Sequence, residues 1–269
     1  MWCQARRIGR YGRAPALLAC TRGTPLLSAL RPINGSRSFP RSWLGLTAQI
    51  GLILLGSLLA SGCRWPVAAD RPLVYVALGA SDSVGVGTAD PAQEGWVPQL
   101  HSRLPPGTRL VNLGVSGFRL AEAVEQTLPI AVDADPDIVT IWLAVNDFNA
   151  RTDLGQYERD LDRLLGALAA TEPRVILIGN IPDLTLVPVY ASFGVPKEAL
   201  AAEVDRWNAA IDRQAVKHGA RVVDLHAQWL ELADHPEYVS ADGFHPSASG
   251  YRRLADLFYA SLEAAGAVR

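Results

Sequence analysis

From about residue 71 onward, short β-branched apolar runs alternate with longer segments of helical periodicity. This alternation restricts the fold more than any other feature, because strands separated by helices pair in parallel and need cover on both faces. The five predicted strands are LVYVALG (73–79), RLVNLGV (109–115), DIVTIWLAV (137–145), RVILIGNI (174–181) and ARVVDLHA (220–227). The sequence therefore predicts an α/β fold, a doubly wound three-layer α/β/α sandwich with about five parallel strands.

Helical periodicity fills the intervals between these strands. The predicted helices lie near 94–104, 119–128, 155–170, 198–218 and 247–264. One connection, residues 181–197, is long, apolar and interrupted by prolines, which fits either a pocket wall or lid or an insertion packed on the surface. In a doubly wound sheet the ligand site lies at the carboxyl ends of the strands. We therefore expect the functional residues directly after the strands.

The N-terminal part of the chain has a different composition. Residues 1–63 contain eight arginines, no lysine and no acidic residue. Residues 1–40 show no steady apolar period, so they are predicted to form a basic, disordered extension. Removing those eight arginines from 25 basic residues leaves 17 against 27 acidic residues in the body. An acidic body argues against nucleic acid as a partner.

Residues 41–63 have the layout of a secretory signal. An uncharged, mostly apolar run at 42–62 follows Arg41 and ends at Cys63. The ending Ala-Ser-Gly-Cys resembles a bacterial lipobox, which predicts lipidation of Cys63. The alternative is an uncleaved membrane helix, because the run approaches the roughly 20 residues that span a bilayer. We expect the protein to be exported, and anchored on the outer side of the cytoplasmic membrane by lipid or helix, or secreted.

The first strand leads into a glycine-rich turn, Gly-Ala-Ser-Asp-Ser-Val-Gly-Val-Gly, at residues 79–87. Such a turn presents a hydroxyl at the edge of the sheet, and Ser81 and Ser83 are both candidates. A phosphate-binding loop fits poorly, because the turn lacks a Gly-Lys-Ser/Thr ending and Asp90 stands where a GxGxxG motif needs its last glycine. The turn therefore indicates nucleophilic serine chemistry.

Near the other end of the chain, Asp242 precedes His245 by three residues. A serine hydroxyl is a weak nucleophile until a base takes its proton, and that base needs a carboxylate to orient it. After the second and third strands come Ser116-Gly117 and Asn146-Asp147. A glycine N–H and a side-chain amide are the donors that an oxyanion hole requires.

These four segments resemble, in order, spacing and sheet position, the sequence blocks of the SGNH (GDSL-type) hydrolases over nearly all of residues 73–262. The resemblance implies the flavodoxin-like fold of that family for a domain at 71–269. It implies Ser81 as the nucleophile, because Ser81 keeps glycines two before, four after and six after it, whereas Ser83 keeps a single one. Asp242 and His245 match the Asp-x-x-His block of the family.

By the same resemblance, the oxyanion would be bound by the N–H groups of Ser81 and Gly117 and by the Asn146 amide. The implied activity is hydrolysis of small-molecule, lipid or glycan esters, with no metal and no cofactor. The chain departs from the family at Ala80, where an Asp is usual, and at Ala144, where a Gly is usual. Asp82 could take over the role of the missing Asp in organising the turn.

Two other functions remain open at this point. The α/β-hydrolases use the same three residue types in the same chain order, but their nucleophile lies in Gly-x-Ser-x-Gly, and position 83 is Ser instead of Gly. A membrane-tethered binding protein that has lost turnover is the non-enzymatic alternative, supported by the two alanine departures.

Overall fold

The computed structural model describes residues 71–228 and 230–268. The predicted extension, the signal or anchor segment and Cys63 lie outside these residues. The centre of the described part is a parallel sheet of five strands: β1 (Val74–Gly79), β2 (Arg109–Asn112), β3 (Ile138–Trp142), β4 (Val175–Gly179) and β5 (Arg221–Val223). The strand order is β2-β1-β3-β4-β5. The predicted doubly wound α/β fold is confirmed.

Helices cover the sheet on both faces. They are α1 (Ser81–Val84), α2 (Pro91–Glu94), α3 (Trp96–His101), α4 (Leu120–Gln126), α5 (Leu128–Asp133), α6 (Val145–Asn149), α7 (Leu154–Ala169), α8 (Pro188–Ala191), α9 (Lys197–His218), α10 (Leu225–Gln228) and α11 (Ala248–Ala264). Helix α7 packs against α4, α5 and α9, while α11 packs against α2 and α3. Short 3₁₀ turns lie at Leu184–Leu186, Leu230–Ala233 and Pro236–Tyr238. Within residues 71–228 and 230–268, no helix has the length and apolarity to cross a bilayer.

Burial along the strands follows their position in the sheet. Every residue of β1, β3 and β4 is buried, because these central strands have helices on both faces. The edge strands β2 and β5 are partly exposed. This explains why the central strands are continuous apolar runs in the sequence and the outer ones are not.

Strands β2 to β5 all end two to four residues earlier than predicted. Strand β2 ends at Asn112, whose side chain accepts a hydrogen bond from the Gly114 N–H at 3.0 Å and donates one to the Ser83 carbonyl at 2.7 Å. These bonds turn the chain out of the sheet and tie it to α1. Strand β5 ends at Val223, because helix α10 begins at Leu225.

The helix ends follow local chemistry. Helix α7 begins after Asp153, whose carboxylate accepts a hydrogen bond from the Gln156 N–H at 2.9 Å. The predicted helix at 94–104 is two short helices, because Gly95 between them is extended, with φ −64° and ψ 151°.

The order β2-β1-β3 places the reversal of the sheet between β1 and β3, and the residues after these two strands form the candidate site.

Candidate active site

Ser81 is the first residue of α1 and follows β1 after a single residue, Ala80. Its side chain lies at the carboxyl edge of the sheet, and the residue is 8% exposed. The turn needs glycine on the strand side, because a Cβ atom at Gly79 would lie 1.9 Å from the Ser83 hydroxyl oxygen. The strand therefore passes directly into the helix, which holds the Ser81 hydroxyl at the mouth of a cavity.

His245 lies against this serine. Its Nε2 atom is 2.9 Å from the Ser81 Oγ atom, and its Nδ1 atom is 2.7 Å from Asp242 Oδ2. Phe244 contacts the imidazole edge-on, with ring centroids 4.8 Å apart. The structure thus places Ser81, His245 and Asp242 in one hydrogen-bonded chain, which is the arrangement that activates a serine nucleophile.

The loop that carries the carboxylate and the imidazole is held closed by its backbone. The Ser240 N–H donates to the His245 carbonyl at 2.8 Å, and the Gly243 N–H donates to the Ser240 carbonyl at 3.0 Å. Gly87, with φ +104°, lets the serine turn approach this loop, because a Cβ there would lie 2.5 Å from the Pro246 carbonyl oxygen. This close contact accounts for a glycine six residues after Ser81.

The Asp242 carboxylate accepts several hydrogen bonds besides that from the imidazole. Its Oδ1 atom accepts hydrogen bonds from the Ser240 hydroxyl and from the N–H groups of Phe244 and His245, with donor–acceptor distances of at most 2.9 Å. Desolvation raises the pKa of Asp242, but the hydrogen bonds from His245, Phe244 and Ser240 outweigh it and hold this pKa well below its ordinary value. Asp242 therefore stays ionised at any pH at which an esterase would be assayed.

Ser83, the competing serine, has a different environment. It is 1% exposed, packs against Gly79 and Gly114, and its hydroxyl has no hydrogen-bond partner within the described residues. The Ser83 side chain cannot contact a substrate unless the turn at residues 79–87 is disrupted. The geometry therefore favours Ser81 over Ser83 as the nucleophile.

The predicted oxyanion donors lie on two neighbouring loops. Gly117 is in an exposed turn after β2, with φ +82°, and Asn146 is in the first turn of α6 after β3. The Asn146 amide donates one hydrogen bond to the Phe118 carbonyl at 2.9 Å, which leaves its second N–H free to donate elsewhere. Asn146 and Phe118 both line the cavity beside Ser81.

Asp147 is a site residue whose role sequence reasoning missed. It is 2% exposed, and its carboxylate accepts a hydrogen bond from the Leu120 N–H at 2.7 Å. Burial raises the pKa of Asp147, and the bond from Leu120 lowers it. Because Asn146 binds Phe118 and Asp147 binds Leu120, this dipeptide fixes the loop of Gly117 against α6. The Asn-Asp dipeptide is visible in the sequence, but the sequence analysis predicts a role for Asn146 and none for Asp147.

A cavity that is partly open to solvent begins at Ser81. Its walls are mostly apolar; the lining residues are Ala80, Ser81, Asp82, Phe118, Trp142, Leu143, Ala144, Val145, Asn146, Pro182, Leu184, Val187, Leu232, Val239, Phe244 and Pro246. Within residues 71–228 and 230–268, no cluster of His, Cys, Asp or Glu side chains is arranged to hold a metal ion. The arrangement suits an apolar substrate portion held beside a nucleophilic serine.

The connection at 181–197 divides into two parts. Pro182, Leu184 and Val187 form one wall of the cavity, whereas Phe193 and Val195 are exposed. The first part therefore matches the pocket-wall interpretation, and the second part lies on the surface.

Comparison with solved structures shows the same fold. TesA superposes with a TM-score of 0.60 at 20% identity, covering 71% of this chain and 99% of that chain. The esterase EstA from Pseudoalteromonas sp., of which another structure is inhibited by monoethylphosphonate, gives a TM-score of 0.58 at 18% identity, covering 71% and 97%. At these identities, the likeness concerns the fold alone.

Similar curated proteins include an acetylxylan esterase of Xylanibacter ruminicola, 24% identical over 74% of this chain, and a GDSL-like esterase of Mycobacterium tuberculosis, 26% identical over 80%. The aligned regions span 45% and 62% of the lengths of these two relatives. The family model for the GDSL-like Lipase/Acylhydrolase family matches residues 73–253. This chain belongs to the GDSL-like lipase/acylhydrolase family.

Proposed function

We propose that this protein is a serine esterase that hydrolyses carboxylic esters, with Ser81 as nucleophile, His245 as general base and Asp242 as the residue that orients the imidazole. The observation that carries this function is the hydrogen-bonded chain from Ser81 Oγ through His245 to Asp242, at 2.9 and 2.7 Å. Ser81, at one end of these hydrogen bonds, lines a cavity with mostly apolar walls. Such an arrangement supports acyl transfer through a covalent intermediate.

In the proposed reaction, His245 Nε2 takes the proton of the Ser81 hydroxyl as Oγ attacks the ester carbonyl carbon. The oxyanion accepts hydrogen bonds from the N–H groups of Ser81 and Gly117 and from the Asn146 amide. Collapse of the tetrahedral intermediate breaks the bond to the alcohol, which leaves with the proton from His245. Water, deprotonated by the same imidazole, then attacks the acyl-serine. The bond between the acyl carbon and Ser81 Oγ breaks, His245 returns the proton to Oγ, and the acid is released. The reaction requires neither a metal nor a cofactor.

The substrate class is proposed as acyl-lipid, short-chain acyl or glycan acetyl esters. The apolar walls around Trp142, Leu184 and Val187 support binding of an acyl chain. The names of the relatives support the acetyl-glycan alternative, since two are acetylxylan esterases. All three ester classes share the carbonyl chemistry described above.

The test of this function is hydrolysis of p-nitrophenyl esters from acetate to palmitate, together with acetate release from acetylated xylan, by the full chain. We expect hydrolysis of at least one ester, and the preferred chain length or the xylan reaction identifies the substrate class. An ethyl phosphonate probe should label the protein on one serine. A folded protein that neither hydrolyses any of these esters nor reacts with the probe would indicate a non-catalytic binding protein on the same fold.

We further propose that the protein is exported and held at the outer side of the cytoplasmic membrane through Cys63. The support is the apolar run at 42–62 directly before that cysteine. Cells that express the protein and are fed an alkyne-tagged fatty acid should label the wild type and not Cys63→Ser. Labelling that persists in Cys63→Ser would exclude lipidation at this position. A membrane-bound but unlabelled wild type would indicate that the segment remains as a membrane helix.

A further inference from the structure

Helix α8, in the long connection after β4, is bonded to the loop that carries Asp242 and His245. The Val189 N–H donates a hydrogen bond to the Gly243 carbonyl at 3.0 Å. Val189 lies in the first turn of α8, where backbone N–H groups have no acceptor within the helix itself. Gly243 lies between Asp242 and His245 in the chain. The start of α8 is therefore tied to the middle of the loop that positions the proposed base.

The next residue of α8, Tyr190, extends this contact to the helix that carries the proposed oxyanion donor. Its side chain is buried, and its hydroxyl donates a hydrogen bond to Asn149 Oδ1 at 2.7 Å. Asn149 is the last residue of α6 and follows Asn146 by three positions, so the two lie within one turn of the helix. This hydrogen bond joins α8 to α6.

The ring of Tyr190 also packs towards the catalytic loop. Its centroid lies 6.3 Å from that of Phe244, within the range of aromatic pairs, and the planes are tilted by 51°. Phe244 in turn contacts the His245 imidazole edge-on. One side chain thus contacts α6 through its hydroxyl and the neighbour of His245 through its ring.

The chemistry of Tyr190 suits a structural donor better than a group that reacts. Burial raises the pKa of Tyr190 to about 12, so the phenol keeps its proton across the working range of an esterase. Val187 and Phe244 line the cavity beside Ser81, whereas Tyr190 is not among the described residues that line it. Tyr190 can therefore affect a bound ester through its neighbours.

We propose, on the basis of the esterase function proposed above, that Tyr190 is a positioning residue that holds the Asn146 amide and the His245 imidazole at the separation required for acyl transfer. The imidazole must reach Ser81 Oγ while the amide meets the oxyanion, so groups from distant parts of the chain act on one substrate together. Misplacement of reacting groups by about 1 Å can cost about a hundredfold in rate. A direct bridge between their two supports limits such movement.

The first test is Tyr190→Phe, which keeps the ring against Phe244 and removes the hydrogen bond to Asn149. We expect kcat for p-nitrophenyl acetate to fall about threefold to tenfold, because α6 loses one restraint while the catalytic groups all remain. KM should change little, since the oxyanion donors act mainly on the transition state. The factor should be the same at every pH of the profile, because the lost hydroxyl does not titrate there.

Tyr75→Phe is the matched control, because it also removes a buried tyrosine hydroxyl from a hydrogen bond. Tyr75 on β1 is bonded to Thr140 Oγ1 on β3 at 2.9 Å, inside the sheet. Both variants should unfold at a lower temperature than the wild type. Tyr75→Phe should leave kcat and KM unchanged. If Tyr190→Phe lost stability but kept the wild-type kcat, or if both variants lost kcat equally, the bridge would have a structural role alone and the proposal would be wrong.

A double-mutant cycle with Asn149→Ala tests whether the hydrogen bond itself carries the effect. Asn149 is exposed, so its truncation leaves no buried cavity. Each single variant should lower kcat by a similar factor, and the double variant should fall no further than either one. Losses that multiply in the double variant would show that the two side chains act separately, which would contradict the bridge.

Amide hydrogen exchange tests the bridge without any substrate. The Val189 N–H reports on the bond to the catalytic loop, and the Ala150 N–H, which donates to the Asn146 carbonyl at 2.9 Å, reports on α6. Both amides should exchange faster in Tyr190→Phe, and neither should change selectively in Tyr75→Phe. Unchanged exchange in Tyr190→Phe would contradict the bridge. If the wild type hydrolyses no ester, the esterase function fails on its own, and the exchange rates still decide whether Tyr190 joins the two elements.

Discussion

Ser81→Ala is expected to lower kcat/KM for p-nitrophenyl acetate by about 10⁴-fold to 10⁶-fold, the range seen when a serine hydrolase loses its nucleophile. The reason is the 2.9 Å contact between Ser81 Oγ and His245 Nε2, which no other serine side chain of the described residues makes. The Ser81 hydroxyl donates this hydrogen bond to His245 Nε2 and makes no other hydrogen bond with the described residues. The variant should therefore fold normally, which its unfolding temperature checks.

Ser83→Ala is the matched control, since it removes a hydroxyl two residues away on the same short helix. The Ser83 hydroxyl has no hydrogen-bond partner in the part of the chain that the structure describes, so its loss should change kcat/KM by no more than about threefold and should not reduce stability. The phosphonate probe should label Ser83→Ala and fail to label Ser81→Ala. The opposite pattern, with activity retained in Ser81→Ala and lost in Ser83→Ala, would transfer the nucleophile to Ser83.

The fold could be predicted because its main determinant is local. Burial on both faces makes β1, β3 and β4 continuous apolar runs, and the helices between them force parallel pairing. The end of β1 was predicted correctly, whereas β2 to β5 end earlier than predicted, and the end of β2 depends on a contact with another element. Asn112 ends β2 through a hydrogen bond to Ser83, a residue on the neighbouring strand's turn. Local periodicity contains no information about such a contact.

The candidate site also has features that local sequence patterns predict and features that depend on residues far along the chain. The spacing between Asp242 and His245, and the glycines around Ser81, are short-range patterns, and the structure brings these three residues together. The environment of Asp82 is a long-range property, because burial raises the pKa of its carboxyl to about 6 and the charge of His245, far along the chain, lowers it. The role of Asp82 in organising the turn stays a prediction, and the structure adds that this residue lines the cavity.

In the proposed oxyanion site, one dipeptide would combine a chemical and a structural task. Asn146 and Asp147 bind the two ends of the segment from Phe118 to Leu120 at 2.9 and 2.7 Å. The N–H of Gly117, the residue before this segment, is thereby held in place relative to the Asn146 amide. Preorganised donors stabilise a developing oxyanion because they need not reorient during the reaction.

Asn146→Ala is consequently expected to lower kcat about 100-fold to 1,000-fold, the typical cost of one oxyanion donor. KM should change little, because the donor binds the transition state more strongly than the ground state. The measurement is the steady-state kinetics of p-nitrophenyl acetate hydrolysis across the pH plateau. Full activity in Asn146→Ala would contradict the assignment of this amide to the oxyanion site.

The amide also binds the Phe118 carbonyl, so a structural explanation of any loss must be separated from a chemical one. Asn146→Asp separates them, because it keeps the size of the side chain and replaces a donor with a negative charge beside the oxyanion. If the amide stabilises the oxyanion, Asn146→Asp should lose at least as much kcat as Asn146→Ala at pH 8. If the amide merely supports the loop, unfolding temperature and kcat should fall together in both variants. An Asp variant more active than the Ala variant would exclude the oxyanion role, since a carboxylate there repels the charge that the site must stabilise.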